Sequence, residues 1–156
     1  MKREFFKYAV FAMIVMFSLS ACEKETTNSA SVIGKATITG TVKGRLNTTG
    51  GADSLSNVPS TVKLYAKYSS KDLVSNPSAT LPYAYIIKEV VVTGDTYSFT
   101  VDANLKDVKV TLYGDDFRTT LTDGSNNPLK IFTLDSVSVK VTKDVYRIKD
   151  LVYRAK

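Results

Sequence analysis

The stretch VVVTGDTYSFTV, residues Val90–Val101, decides the fold class of this chain. Its second half alternates apolar and hydroxylated side chains with a period of two, which is typical of a strand with one face in a core and one in water. Gly94 and Asp95 separate this half from the valine run before it, and a glycine in a two-residue link favours a β-hairpin. The stretch predicts two antiparallel strands joined by a tight turn.

The same period of two recurs along the chain from residue 36 onward, in residues that suit a pleated, half-buried surface. The alternating segments are ATITGTV (36–42), VKLYAK (62–67), VKVTLY (108–113) and VSVKV (137–141). The more continuously apolar YIIKEVVV (85–92) predicts a central strand, and YRIKDLVY (146–153) predicts a terminal strand rather than a short helix. About seven short strands with turns between them predict an all-β fold, a single antiparallel β-sandwich over residues 36–156.

Three segments of the predicted sandwich come in an order that points to a family. They are ITGTV (38–42), NVPSTVKLY (57–65) and GDTYSFTV (94–101). Together they resemble the carboxypeptidase-regulatory-like, or transthyretin-like, sandwich of many secreted Bacteroidetes proteins, and the resemblance covers about residues 36–113. It implies a prealbumin-like fold. The D-x-x-G turn of that family is reduced here to Thr93-Gly94-Asp95, so another Ig-like sandwich stays an alternative.

The first 21 residues have the order of a secretory signal peptide. A positively charged start precedes an apolar run, Tyr8–Leu19, of about a dozen residues. That run is shorter than the roughly 20 residues that a spanning helix needs. Small residues follow it, and we predict cleavage between Ala21 and Cys22.

The motif Leu19-Ser20-Ala21-Cys22 resembles the lipobox of bacterial lipoproteins. The resemblance implies that Cys22 carries a diacylglycerol thioether and becomes the mature N-terminus, acylated with fatty acids such as palmitate. Cys22 is the only cysteine, so no disulfide forms within the chain. Two or three acyl chains hold a protein on a membrane stably. The predicted partner of the N-terminus is therefore the membrane; the alternative is an ordinary signal with an unmodified cysteine.

Residues 22–35 are predicted to be the lipidated cysteine and a flexible tether, because they are mostly small and polar without a regular period. Glu23-Lys24-Glu25 resembles the export tag of surface-displayed Bacteroidetes lipoproteins. The resemblance implies the outer membrane and the cell surface, and a tether at the periplasmic face is the alternative.

The net charge of +6 does not indicate nucleic-acid binding. Residues 1–21 carry three basic and one acidic side chain, so residues 22–156 keep 18 basic and 14 acidic ones. The basic residues are scattered singly, whereas a nucleic-acid surface needs a clustered stripe with aromatic platforms. We predict no nucleic-acid partner.

The composition also removes most catalytic chemistry. The chain has no histidine, which excludes histidine as general base, triads that use it and zinc sites built on it. Asp115-Asp116 is the one adjacent acidic pair, and we interpret it as a polar turn because neighbouring strand residues point to opposite faces. The prediction is a protein that is not an enzyme and has no cofactor; a carboxylate-based hydrolase is the less favoured hypothesis.

A calcium site is the remaining metal candidate. The loop Asp123–Asn127 offers side-chain oxygens, and Asp115 and Asp116 are candidates to lie near it. The loop lacks the spacing of a calcium-binding motif, and its residues favour tight turns. We predict no metal site.

Tyrosines and short sequons supply the remaining candidate sites. Tyr83 and Tyr85 end a long loop and are the predicted contact surface, because exposed tyrosine stacks on sugars or anchors protein interfaces. Tyr65, Tyr68 and Tyr113 are also expected at strand ends or on the solvent side. Two triplets, Asp53-Ser54-Leu55 and Asp135-Ser136-Val137, resemble the Bacteroidetes O-glycosylation sequon, and the resemblance implies Ser54 as the better acceptor.

The function predicted from these observations is a membrane-anchored cell-envelope lipoprotein that acts as a non-catalytic binding or structural module, with an unidentified protein or glycan as partner. The alternative is an accessory surface lipoprotein that binds a glycan or another small molecule through its tyrosine-bearing loops.

Overall fold

The computed structural model describes residues 33–46, 55–120 and 129–156, and nearly all regular structure in them is β-strand. The strands are β1 (Gly34–Gly44), β2 (Ser56–Asn57), β3 (Leu64–Ser69), β4 (Tyr85–Val90), β5 (Val92–Thr93), β6 (Thr96–Ala103), β7 (Val108–Gly114), β8 (Phe117–Thr120), β9 (Leu129–Thr133), β10 (Val137–Val141), β11 (Tyr146–Ile148) and β12 (Leu151–Ala155). A 3-10 helix, Ser70–Leu73, is the only helix in these ranges. The all-β prediction is confirmed; the prediction of about seven strands is wrong, since the described residues form twelve.

The strands form two sheets. The larger sheet has the order β5-β6-β1-β12-β9-β8, and β2 and β11 also pair with β1. The smaller sheet has the order β10-β7-β3-β4. Strand β1 begins at Gly34, two residues before the predicted start of the domain at Ala36.

One hydrophobic core contains residues of both sheets. Alternation places Ala36, Ile38 and Val42 of β1 in this core, and it does the same for the valines of β7. Burying each large apolar side chain contributes on the order of 1.5–3 kcal/mol. The largest fully buried side chains are Tyr68, Tyr153, Phe132, Ile38, Leu64, Leu112 and Leu151.

The solvent-side placement expected for Tyr68 is wrong. Tyr68 is buried because it continues the inward series of Leu64 and Ala66 along β3. Its hydroxyl donates a hydrogen bond to Asp102 Oδ2 over 3.2 Å, so the ring reaches across the core and its polar end is satisfied at the rim.

The hairpin predicted around Gly94 is confirmed. Val92 pairs with Tyr97, and Thr93 pairs with Thr96, in antiparallel register. Gly94 has a φ of 65°, the left-handed region at the first central position that a type II′ turn requires.

The C-terminal strands correct the prediction of a purely antiparallel fold. Residues 146–153 form strand rather than helix, as predicted, but the strand is interrupted at Lys149 and Asp150, and its two parts, β11 and β12, both pair with β1 in parallel. The chain reaches β11 from β10, which belongs to the other sheet, so this connection is a crossover and not a hairpin. A turn at Asp144, with a φ of 62°, begins that return.

The parallel pairing is modified at one point, between β11 and β12. The backbone N–H of Lys149 bonds to the Thr39 carbonyl over 2.8 Å, and a regular parallel ladder would then pair the Lys149 carbonyl with the Thr41 N–H. Instead that carbonyl accepts the hydroxyl of Tyr97. The Asp150 carboxylate replaces the Lys149 carbonyl as the acceptor for Thr41, since Asp150 Oδ1 accepts both the N–H and the hydroxyl of Thr41 over 2.8 Å.

The stretch YIIKEVVV is not a central strand. It forms β4, at the edge of the smaller sheet, and then β5, in the larger sheet. Val91, between the two, is 75% exposed, and Ile87 on β4 is 56% exposed. Its continuous apolarity therefore reflects a strand that leaves one sheet for the other, not burial on both faces.

Candidate binding face

The outward side of the smaller sheet carries an unusual set of residues, which we call the tyrosine–lysine face. The register of the four strands places every second side chain on this side, away from the core. The face consists of Tyr65, Lys67, Ser69, Tyr85, Ile87, Glu89, Lys109, Thr111, Tyr113, Ser138 and Lys140.

Two tyrosines pack against each other at one end of the face. Tyr65 on β3 lies directly opposite Tyr113 on β7, and the ring centroids are 5.3 Å apart with an angle of 25° between the planes. The Tyr65 hydroxyl lies 3.4 Å from Asp115 Oδ2. Partial burial, and then the negative charge of Asp115, raise the pKa of Tyr65. The mutual stacking fixes both rings upright on the sheet.

Ion pairs neutralise the charges at two borders of the face. Lys63 Nζ lies 3.2 Å from Glu89 Oε2, and Lys140 Nζ lies 3.3 Å from Asp107 Oδ2. The hydrogen bond that Lys63 donates to Glu89 is the main cause that raises the pKa of Lys63. The other two lysines of the face, Lys67 and Lys109, take no part in these ion pairs and lie nearer its middle, where they can interact with a ligand.

A groove of about 410 Å³ lies at the opposite end of the face from the tyrosine pair. We call it the lysine groove. It is lined by Lys67, Tyr68, Ser69, Lys71, Asp72, Tyr85, Lys109 and Thr111. None of these residues is alanine, valine, leucine, isoleucine or methionine, and their side chains end in hydroxyl, phenol, ammonium or carboxylate groups.

Tyr85 forms one wall of the lysine groove. It is 67% exposed, and the ammonium group of Lys67 lies 4.1 Å from its ring centroid, within cation–π range. The loop before Tyr85 is fixed by Ser70, whose N–H bonds to the Ala84 carbonyl and whose hydroxyl accepts the Ala84 N–H. The ring is therefore held in place while most of its surface stays open.

The 3-10 helix forms the other wall and presents Lys71 and Asp72. The Ser69 hydroxyl caps it by accepting the Lys71 N–H. Asn104, only 2% exposed, holds the helix to the turn after β6: its amide donates to the Asp72 carbonyl over 2.9 Å, and its side-chain oxygen accepts the Lys106 N–H over 2.6 Å. A buried amide satisfied at both ends fixes the wall to the sheet.

The lysine groove is positively charged. Three of its residues are lysines and one is an aspartate. Asp72 is already engaged, because its carboxylate accepts the backbone N–H of Lys109 over 3.2 Å. In the described parts of the chain, neither Lys71 nor Lys109 has an acidic side chain within ion-pair distance. The arrangement is suited to a ligand with negative charge.

The predicted site residues fall in different places. Tyr85 lines the lysine groove, and Tyr83, half-buried, lies two residues before it. Asp115 and Asp116 are both exposed between β7 and β8, where the Asp115 N–H bonds to the Lys63 carbonyl over 3.0 Å. Ala21, Cys22, Ser54 and Asp123 lie outside the described residues.

The described residues contain neither a candidate metal cluster nor a candidate membrane-spanning helix. In residues 33–46, 55–120 and 129–156, no group of three or more histidine, cysteine, aspartate or glutamate side chains is placed to hold a metal ion. Over the same ranges, no helix is both long and apolar enough to cross a membrane.

Sequence reasoning missed the three lysines of the groove. The alternation of β3 does place Lys67 beside Tyr65 on the outer face, which was available from the sequence. Lys71 and Lys109 join them only because β7 lies next to β3 and the 3-10 helix follows β3 directly. No local pattern specifies that neighbour relation.

Comparison with family models, with curated proteins and with solved structures finds no match for this chain.

Proposed function

We propose that this chain is a lipid-anchored lipoprotein of the bacterial cell envelope, and that its β-domain is a non-catalytic binding module for an envelope protein or glycan. The observation that carries the binding role is the tyrosine–lysine face. An exposed aromatic ring and ammonium groups without acidic partners border an open groove there, on a sheet that is rigid because its other side is the core. Aromatic rings with nearby cations are typical anchors of binding sites.

The anchoring role is supported by the lipobox-like motif ending in Cys22 and the apolar run before it. The short charged stretch Glu23-Lys24-Glu25 supports an outer-membrane lipoprotein of Bacteroidetes type, displayed at the surface.

The finer fold is part of the same proposal. A prealbumin-like or other Ig-like sandwich is supported by the single core that both sheets share and by the Gly94 hairpin at the family-like segment. The parallel pairing of β1 with β11 and β12 is a departure from a purely antiparallel sandwich.

The non-catalytic character is supported by the chemistry of the acidic groups. The sequence has no histidine, and Asp115 and Asp116 are both exposed in a turn. The carboxylate of the groove, Asp72, accepts the backbone N–H of Lys109 and is the only carboxylate among the residues that line the groove, whereas hydrolysis by carboxylates needs two of them.

Surface plasmon resonance tests the binding role. The full chain, captured in uncharged detergent, is exposed to detergent-solubilised envelope extract. Tyr85→Ala is expected to weaken binding about tenfold or more, as for an exposed aromatic hot spot. Tyr146→Ala is the matched control, because Tyr146 is 60% exposed on β11, outside the smaller sheet. Equal binding by the two variants would contradict the proposal.

A further inference from the structure

From the lining of the lysine groove we infer that its ligand is an anionic glycan, one whose sugar rings carry carboxylate or sulfate groups. This inference rests on the proposed binding function and specifies its ligand class.

The charge of the groove favours a negative ligand. Lys67, Lys71 and Lys109 contribute three ammonium groups to one groove, and Asp72 contributes the only carboxylate. The neighbouring acidic residues on the face do not balance them, because Glu89 is paired with Lys63 and Asp107 with Lys140. Ammonium groups bind carboxylate or sulfate oxygens through charge-assisted hydrogen bonds.

The hydroxyl groups, the acceptor oxygens and the aromatic ring of the lining indicate a polyhydroxylated ligand. Ser69 and Thr111 present hydroxyls on the floor, and Asp72 retains acceptor capacity beyond its bond to the Lys109 N–H. Tyr85 offers a mostly open aromatic ring at the wall. An aromatic surface for the C–H face of a sugar ring, acceptors for its hydroxyls and cations for its acidic group are combined within one groove.

An acidic peptide fits the groove less well. Peptides that bind along a sheet add a strand to an unpaired edge and insert alternate side chains into apolar pockets. The floor strand β3 is paired on both sides, with β4 and β7, and none of the lining residues is alanine, valine, leucine, isoleucine or methionine.

The edge of the smaller sheet beside the lysine groove is also unsuited to strand addition. The edge strands of this sheet are β4 and β10, and β4 is the one that contributes a residue to the groove. Lys88 in the middle of β4 belongs to the inward series with Val90. An inward-pointing charge on an edge strand opposes pairing with another strand. The exposed Ile87 beside it is a single apolar residue and needs no separate explanation.

Isothermal titration calorimetry on the full chain in uncharged detergent tests the inference. The probes are trigalacturonate, a sulfated galactotriose, neutral galactotriose and a hexaglutamate peptide. We expect at least one of the two anionic sugars to bind about tenfold or more tightly than galactotriose, since one charge-assisted contact is worth about that factor. Its affinity is expected to fall at high salt, because the lysines are exposed and screened.

Variants locate the effect. Lys71→Ala with Lys109→Ala is expected to weaken binding of the anionic sugar about tenfold or more. The control pair, Lys130→Ala with Lys156→Ala, removes the same amount of charge on or beside the larger sheet. It is expected to leave the affinity for the anionic sugar unchanged. Lys71→Arg with Lys109→Arg keeps both charges and should retain most of the affinity, which shows that loss in the alanine pair does not come from unfolding.

Three results would overturn the inference: galactotriose binding as tightly as both anionic sugars, hexaglutamate binding more tightly than either, or neither anionic sugar binding. In each case, if Tyr85→Ala still weakens binding of envelope extract and Tyr146→Ala does not, the proposed function stands and only the ligand class is wrong. If Tyr85→Ala also has no effect on binding of envelope extract, both the ligand class and the proposed function are wrong.

Discussion

The pairing of the C-terminal strands with β1 depends at one point on a side chain, that of Asp150. Its carboxylate replaces the Lys149 carbonyl as acceptor for the Thr41 N–H. The hydrogen bond from the Thr41 N–H, followed by that from the Thr41 hydroxyl, holds the pKa of Asp150 below its ordinary value of 3.8. Because the folded-state pKa is lowered, Asp150 stabilises the fold fully above the unfolded-state pKa and loses this contribution as the pH falls through the folded-state pKa.

Replacing Asp150 gives a pH-dependent prediction. Asp150→Ala is expected to lower the free energy of unfolding by about 1 kcal/mol at pH 7, which is below the usual range for a hydrogen bond to a charged group because the site is exposed. The difference from the wild-type chain should shrink as the pH falls below about 4, where the carboxylate becomes protonated. Urea unfolding of both chains between neutral and acidic pH measures it.

Asp150→Asn serves as the control for this prediction. The asparagine oxygen still accepts the Thr41 N–H, but the side chain does not titrate. Its difference from Asp150→Ala is expected to stay constant with pH. A constant difference between wild type and Asp150→Ala over the same range would contradict the role assigned to the charge.

At the scale of elements, Gly40 permits the close contact between β1 and the C-terminal strands. A Cβ at Gly40 would lie 2.0 Å from the Lys149 carbonyl oxygen, and backbone cannot move aside as a side chain can. Gly40→Ala is therefore expected to destabilise the fold by about 2–3 kcal/mol, as for an overpacked core position. Thermal unfolding followed by circular dichroism measures the loss.

Gly34→Ala is the matched control, in the same strand. A Cβ there would meet only the side chain of Lys143, with Cγ 2.5 Å away, and a rotation of that side chain relieves the contact without moving any backbone. We expect a change of about 0.5 kcal/mol or less, as for ordinary surface substitutions. Equal destabilisation by both variants would mean that the contact with Lys149 is not what requires glycine at position 40.

Asn104 is the element-level support of the lysine groove. Asn104→Ala leaves the Asp72 carbonyl and the Lys106 N–H without their partner, which is expected to cost about 2 kcal/mol of stability. It should also weaken binding at the groove, because the 3-10 helix that carries Lys71 loses its attachment. Chemical unfolding and binding of envelope extract measure the two effects. Asn76→Ala, in the exposed loop after the helix, should change neither.

Local patterns predicted the elements well and their arrangement poorly. The alternation in residues 36–42, 97–101 and 108–113 is found in β1, β6 and β7, because burial on one face imposes a period of two whatever the topology. The edge position of β4 and the parallel pairing of residues 146–153 were not predictable, since they depend on which sheet a strand joins. The site follows the same division: Tyr85 was predicted as a contact residue from its own sequence context, and Lys109 was not.

At the scale of the whole molecule, the proposed function requires both a membrane anchor and a binding face. The lipobox-like motif predicts that metabolic labelling with an alkynyl fatty acid labels the wild-type chain and not Cys22→Ser. Ser20→Ala keeps a small residue before the cysteine and should be labelled like the wild type. Labelling of Cys22→Ser at the wild-type level would contradict lipidation at this residue.

The central claim, that the tyrosine–lysine face binds a ligand from the cell envelope, is tested most directly by lysine footprinting. The full chain is acetylated with and without solubilised envelope extract, and modification of each lysine is read by mass spectrometry. The account predicts protection of Lys67, Lys71 and Lys109 by the extract, with Lys130 and Lys156 modified equally in both samples. Unchanged modification of the three groove lysines, or protection confined to Lys130 and Lys156, would contradict it.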